Sequence, residues 1–232
     1  MKARVTLGPG THAIKGGLRS RGDWYHDGSD VCEFFADHFI ATSYFPWPTA
    51  LAGAEFWRPW LGLPAKLADW EVPALNAKER FQPSEVDPIY WPRPSRIHWL
   101  VHSHGIQPVL IACAMGLRIN VLVSVCSPVR ADVLNKYGAA ARQNIGYHLH
   151  YWSHGDRVQL AGGVGDGHSG VLRDFTYSRA GRLVYRCDET IELPEAAGHS
   201  GLLHHVQYRP QLFTAIERIL VRDGKDDLAV HP

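Results

Sequence analysis

Long apolar runs are missing from this sequence. None approaches the roughly 18 residues a membrane-spanning helix needs, so such a helix is not expected. Excess charge of either sign is missing too. Lys and Arg number 24 against 23 Asp and Glu, a formal net charge of +1. That balance gives no electrostatic reason to expect nucleic acid or an acidic membrane surface as the main partner. Cysteine is sparse: Cys32, Cys113, Cys126 and Cys187 are widely spaced and contain no C-x-x-C pair. Three of them stand in apolar stretches, where reduced cysteine behaves as a small buried hydrophobe. The reading is a reducing, cytoplasmic setting rather than a disulfide framework. Met1-Lys2-Ala3-Arg4 leads into only a short apolar stretch before Gly8-Pro9-Gly10, which does not read as a secretory leader. No internal repeat, Rossmann fingerprint or Walker loop is present. Gly162 to His168 is glycine-rich but lacks the phosphate-loop lysine, and is expected to be a mobile loop.

What is present fits one domain over residues 1–232. Residues 3–7 read as a strand ended by Gly8-Pro9-Gly10. Ser29 or Asp30 can cap a helix reaching about His38, with Val31, Phe34 and Phe35 inward. A strand follows near 39–44, then an aromatic helix near 49–61 and a long proline-punctuated segment to Arg96. From Ile97 the elements alternate. Strands are expected at 97–102, 119–126, 147–152 and 190–193, with helices at 106–115, 131–143 and 210–221. A hairpin is expected over 174–187, and a frayed tail after Asp223. Continuous β-branched runs such as Ile119–Cys126 suit strands buried on both faces. The expected class is therefore α/β, a mainly parallel sheet flanked by helices.

The chemistry-bearing motif is Val101-His102-Ser103-His104-Gly105, set between a strand and a helix. Such a turn lifts a serine Oγ out of the sheet, and the helix start offers backbone N–H groups to a developing oxyanion. Small residues are wanted two before and two after the serine. Gly105 complies and Val101 does not. A serine there can equally be a plain helix cap.

With these residues in view, the chain resembles the α/β-hydrolase superfamily, as a minimal, esterase- or lipase-like member. The resemblance rests on element order and four short motifs. It implies Ser103 as nucleophile, and an acid and a histidine following in that order after later strands. Gly155-Asp156-Arg157-Val158 stands after the strand near 147–152 and makes Asp156 the acid. Gly198-His199-Ser200-Gly201 stands before the last helix and makes His199 the catalytic histidine, with His204 as rival. The turn after the first strand, Gly8-Pro9-Gly10-Thr11-His12, carries Pro9 where the family has histidine. It implies Thr11 N–H and His104 N–H as oxyanion donors. Because the first strand begins so early, the resemblance implies a version lacking the family's first two antiparallel strands. It implies no cofactor and no metal, and a small-molecule or lipid-like acyl substrate.

Fourteen histidines and eight tryptophans are the compositional excesses. His148, His150 and His154 lie close together before Asp156, and a metal-dependent hydrolase would want such ligands converging on an activated water. That is the alternative enzyme reading; a catalytically silent binding relative is the other. Seven of the tryptophans fall between Trp24 and Trp99. The Trp/Pro-rich stretch at about 46–95 stands where many α/β hydrolases carry a cap, and its aromatics would wall an acyl or aryl group. His12, Trp24, Tyr25 and Trp57 are the candidate substrate contacts. Plain cover for the sheet is the competing reading.

Overall fold

Six short segments rich in β-branched and aromatic residues form one sheet in the computed structural model of the protein, which describes residues 3–10, 24–25, 28–45, 68–81, 97–129, 131–158 and 187–227. In chain order the elements are β1 (Ala3–Gly8), α1 (Asp30–Asp37), β2 (Ile40–Tyr44), α2 (Ala68–Phe81) and β3 (Ile97–His102). A 3-10 turn at Ser103–Gly105 leads into α3 (Ile106–Ala114). Then follow β4 (Ile119–Val125), α4 (Ala131–Gln143), β5 (Ile145–Ser153), β6 (Glu189–Leu193), the single turn α5 (Gly201–His204) and α6 (Arg209–Asp227). The strand order is β2-β1-β3-β4-β5-β6 and every pairing is parallel. This is an α/β fold, as the alternation of elements predicts. The four cysteines are all free thiols. Among the described residues no helix is long and apolar enough to cross a membrane.

Parallel strands carry helices on both faces, and the core divides accordingly. On one face Val5, Leu7, Leu100, Val123, Leu149 and Tyr151 pack with α1 and α6. On the other, Trp99, Val101 and Leu122 pack with α2, α3 and α4. Ser29 is the N-cap of α1, its Oγ accepting from Cys32 N–H at 3.3 Å. The same hydroxyl donates to Trp24 O at 2.7 Å, so the cap also fixes the tryptophan before it.

The structure departs from the sequence reading in three places. Helix α2 lies inside the segment read as irregular. Pro73 stands inside it, and proline within a helix forfeits a hydrogen bond and costs about 3 kcal/mol. Trp70, Ala74 and Ala77 nevertheless share one fully buried face against α3. Full burial of one large apolar side chain contributes roughly 1.5–3 kcal/mol, so Trp70 and its neighbours offset the proline. Glu71 adds an anchor, accepting from Lys136 Nζ at 2.8 Å and from Tyr137 Oη on α4. Lys136 holds the Glu71 carboxyl below its usual range. The closing helix runs to Asp227, past the point where fraying was expected. Finally, β4 stops at Val125, and Cys126 leaves the strand in a left-handed conformation. The helix expected at 49–61, the hairpin up to its last residue and the Gly162–His168 loop lie outside the described residues.

Candidate active site

Two neighbouring strands end in the same unusual way. Ser103, directly after β3, has φ 52°, and Cys126, directly after β4, has φ 45°. The register pairs His102 with Val125, so these two residues follow on adjacent strands. Left-handed backbone costs a non-glycine residue on the order of 1–3 kcal/mol and persists only where surroundings enforce it. At Ser103 it produces the sharp strand-to-helix turn that the sequence suggests. Ser103 is buried, and its turn feeds straight into α3.

The turn after β1 presses against this serine. A Cβ on Gly10 would stand 2.6 Å from Ser103 Cβ and 3.0 Å from His102 O. A Cβ on Gly105 would stand 2.6 Å from Pro9 O. The Gly8-Pro9-Gly10 backbone and the Ser103–Gly105 turn therefore touch without intervening side chains. The same contact accounts for Val101. Gly8 pairs with Val101 in the ladder, and a Cβ on Gly8 would come within 3.0 Å of Val101 Cγ1. The space needed at the turn comes from Gly8 rather than from position 101.

Asp156 and His199 meet from the ends of β5 and β6. The Asp156 turn is closed by its own N–H to Ser153 O at 3.2 Å and by Gly155 N–H to Ser153 Oγ at 3.2 Å. Ser153 Oγ also donates to Pro194 O at 3.2 Å, tying this turn to the segment after β6. Gly155 has no room for a side chain, because a Cβ there would lie 1.9 Å from Glu195 O. This packing brings His199 Nδ1 to 2.8 Å from Asp156 Oδ2. The Asp156 side chain is fully buried and that of His199 is 12% exposed. An aspartate so held fixes the imidazole with its proton on Nδ1 and its other nitrogen open as an acceptor. His199 is thus the histidine paired with Asp156. The rival His204 ends α5 and is exposed.

His102 links the two halves of the cluster. Its ring lies 4.7 Å from that of His199, centroid to centroid, and 6.3 Å from that of Trp24, edge-on. Tyr25 sits further back, stacked on Tyr44 at 5.0 Å. Both Trp24 and Tyr25 are buried. His104 packs against Trp70 of α2 with 5.9 Å between rings, a contact the sequence reading missed along with the helix. The available signal was the spacing Trp70, Ala74, Ala77, one helical face hidden by Pro73. Thr11, His12 and Trp57 lie outside the described residues.

The histidine group proposed as metal ligands does not converge. His148 Nε2 and His150 Nδ1 both lie 2.8 Å from Ser124 Oγ, sealed in the sheet. His154 stands at the surface with its Nε2 3.2 Å from Glu192 Oε1. Burial, with a smaller contribution from Arg142, pushes the His148 pKa down to about 3. Among the described residues, the group that gathers three possible ligand atoms within 4.8 Å is Cys126, Asp156 and His199. There burial and the Asp156 charge hold the Cys126 thiol well above its usual range, which favours a neutral S–H over a metal-binding thiolate.

No protein-family model and no curated protein matches this chain. Among solved structures it is similar to a protein from Pectobacterium atrosepticum provisionally described as a YdeN-like hydrolase. The similarity spans 94% of this chain and 93% of that one, at 13% identity and a TM-score of 0.43. Likeness at that level assigns no chemistry, so the functional reading rests on the site itself.

Proposed function

We propose that the protein is a serine hydrolase of the α/β-hydrolase type, cleaving a carboxylic ester or related acyl compound through an acyl-enzyme. The observation that carries this reading is the 2.8 Å pairing of His199 Nδ1 with buried Asp156, in a strand-end cluster that also holds left-handed Ser103. In this reading Asp156 orients His199, whose open Nε2 takes the Ser103 proton as Oγ attacks the substrate carbonyl. The same proton passes to the leaving group, and a water activated by His199 then releases the acyl product. The oxyanion rests on backbone N–H groups, those of His104 and Thr11. Support for His104 comes from its place directly after Ser103 at the entrance to α3. Support for Thr11 comes from the contact between Gly10 and Ser103, one residue earlier. Trp24, packed on His102, is read as part of the wall behind the substrate.

The test uses a series of p-nitrophenyl acyl esters of increasing chain length. Hydrolysis should be abolished in Ser103→Ala with the circular dichroism spectrum and unfolding temperature retained. EDTA should leave the wild-type rate unchanged. Full activity in Ser103→Ala would overturn the assignment, and activity lost to EDTA would favour metal chemistry instead.

A further inference from the structure

The loop carrying His199 has little regular structure of its own. It follows β6 through a 3-10 turn at Glu195–Ala197 and reverses at Gly198, which adopts φ 55°. Its two successive carbonyls, Gly198 O and His199 O, are each met by a side chain from the sheet. Cys126 Sγ stands 3.5 Å from Gly198 O, its single S–H shared with the neighbouring Asp156 carboxylate, and His102 Nε2 lies 3.0 Å from His199 O. A carbonyl only accepts, so His102 carries a proton on Nε2 and donates it. Ser200 Oγ, 3.3 Å from the same nitrogen, stands beside this bond. The His102 ring itself contacts both Trp24 and the His199 ring, and a Cβ on Gly10 would come within 3.2 Å of its Nδ1. His102 precedes Ser103 in the chain, and Cys126 follows the neighbouring strand in a matching left-handed turn.

We propose that His102 and Cys126 are positioning residues, a two-point clamp that fixes the backbone of the His199 loop against the strand ends carrying Ser103. Its catalytic consequence rests on the serine-hydrolase reading, whereas its structural consequence does not. The clamp acts on backbone carbonyls, while the His199 ring is held separately, by Asp156 and by its contact with the His102 ring. An imidazole N–H is the stronger donor and a thiol the weaker, so His102 is the principal grip.

The experiment compares wild type with His102→Phe, His102→Gln and Cys126→Ala by two readouts. One is amide hydrogen exchange over residues 196–203; the other is the rate of fluorophosphonate labelling together with kcat and KM. In His102→Phe the exchange should quicken in 196–203 but not in β3–β5. Its labelling rate and kcat should fall about tenfold, with KM within about twofold of wild type. His102→Gln, which restores a donor, should stay within about threefold, and Cys126→Ala should lose about threefold. Wild-type exchange and labelling in both His102→Phe and Cys126→Ala would overturn the clamp, as would equal losses in His102→Phe and His102→Gln. Cys126→Ala, the smaller change, keeps the test decisive if His102→Phe does not fold. If the wild type takes no label, the hydrolase reading fails, and exchange alone decides: faster exchange in the variants supports the clamp and unchanged exchange overturns it.

Discussion

Two pairs of histidines in this protein make an instructive contrast. His102 and His199 stand at the carboxyl ends of their strands, one ring against the other, with a buried carboxylate on His199. His148 and His150 lie inside the sheet on β5, both bonded to the single hydroxyl of Ser124. That hydroxyl can donate to one imidazole and accept from the other, which gives one nitrogen of each buried ring a partner. In the first pair His199 has a negative partner and partial access to solvent, while His102 bonds a backbone carbonyl. The second pair is sealed, with burial holding His148 neutral, and serves the core. Residue type is identical in the two pairs. Position along the strand separates a histidine held on a buried carboxylate from histidines packed inside the sheet.

The contrast breaks most readily at the carboxylate. Asp156→Asn should leave His199 with the wrong tautomer and lower kcat by roughly three to four orders of magnitude. Ester hydrolysis by the purified variant, with unfolding temperature as a control, measures this.

The sealed pair should be felt in stability rather than in rate. The His148 pKa is about 3 in the folded protein against an ordinary 6.5, and burial is the main cause. Between those values the unfolded chain binds a proton that the folded chain refuses. Stability is therefore full above about pH 6.5 and declines as the pH falls toward 3, by roughly 4 kcal/mol in all. His148→Phe should flatten that decline in urea titrations across the window and leave kcat near the wild-type value at pH 8.

Gly10→Ala should have a smaller effect, confined to the end of the sheet that carries Ser103. The added methyl group must displace Ser103 from 2.6 Å. Misplacing a nucleophile by a fraction of an ångström should lower kcat/KM about tenfold to a hundredfold. Unfolding by urea should change little.

Much of this was legible in the sequence, for identifiable reasons. The β-branched runs on either side of Ser103 fixed β3 and β4, and Ser103, Asp156 and His199 follow β3, β5 and β6 in the expected order, with Asp156 and His199 in contact. Helix α2 was hidden in a segment punctuated by prolines, and its Trp70, Ala74, Ala77 face asserts itself only through packing on α3. Val101 looked like a flaw in the turn because its compensating partner, Gly8, is 93 residues away and visible only through the strand register. Cys126 read as one more buried strand residue, since the backbone reversal at a strand end has no local signature in that segment. The same limit applied to the histidines. His148 and His150 are distinguished from His199 by Ser124 and Asp156, partners that only tertiary structure supplies.

The most direct test of the account is a single mass measurement: intact protein treated with a fluorophosphonate, followed by peptide mapping. One adduct per chain, located on Ser103 and lost in Ser103→Ala and strongly slowed in His199→Ala, is the predicted result. An adduct on any other residue, or none on correctly folded protein, would contradict the assignment of Ser103 as the nucleophile.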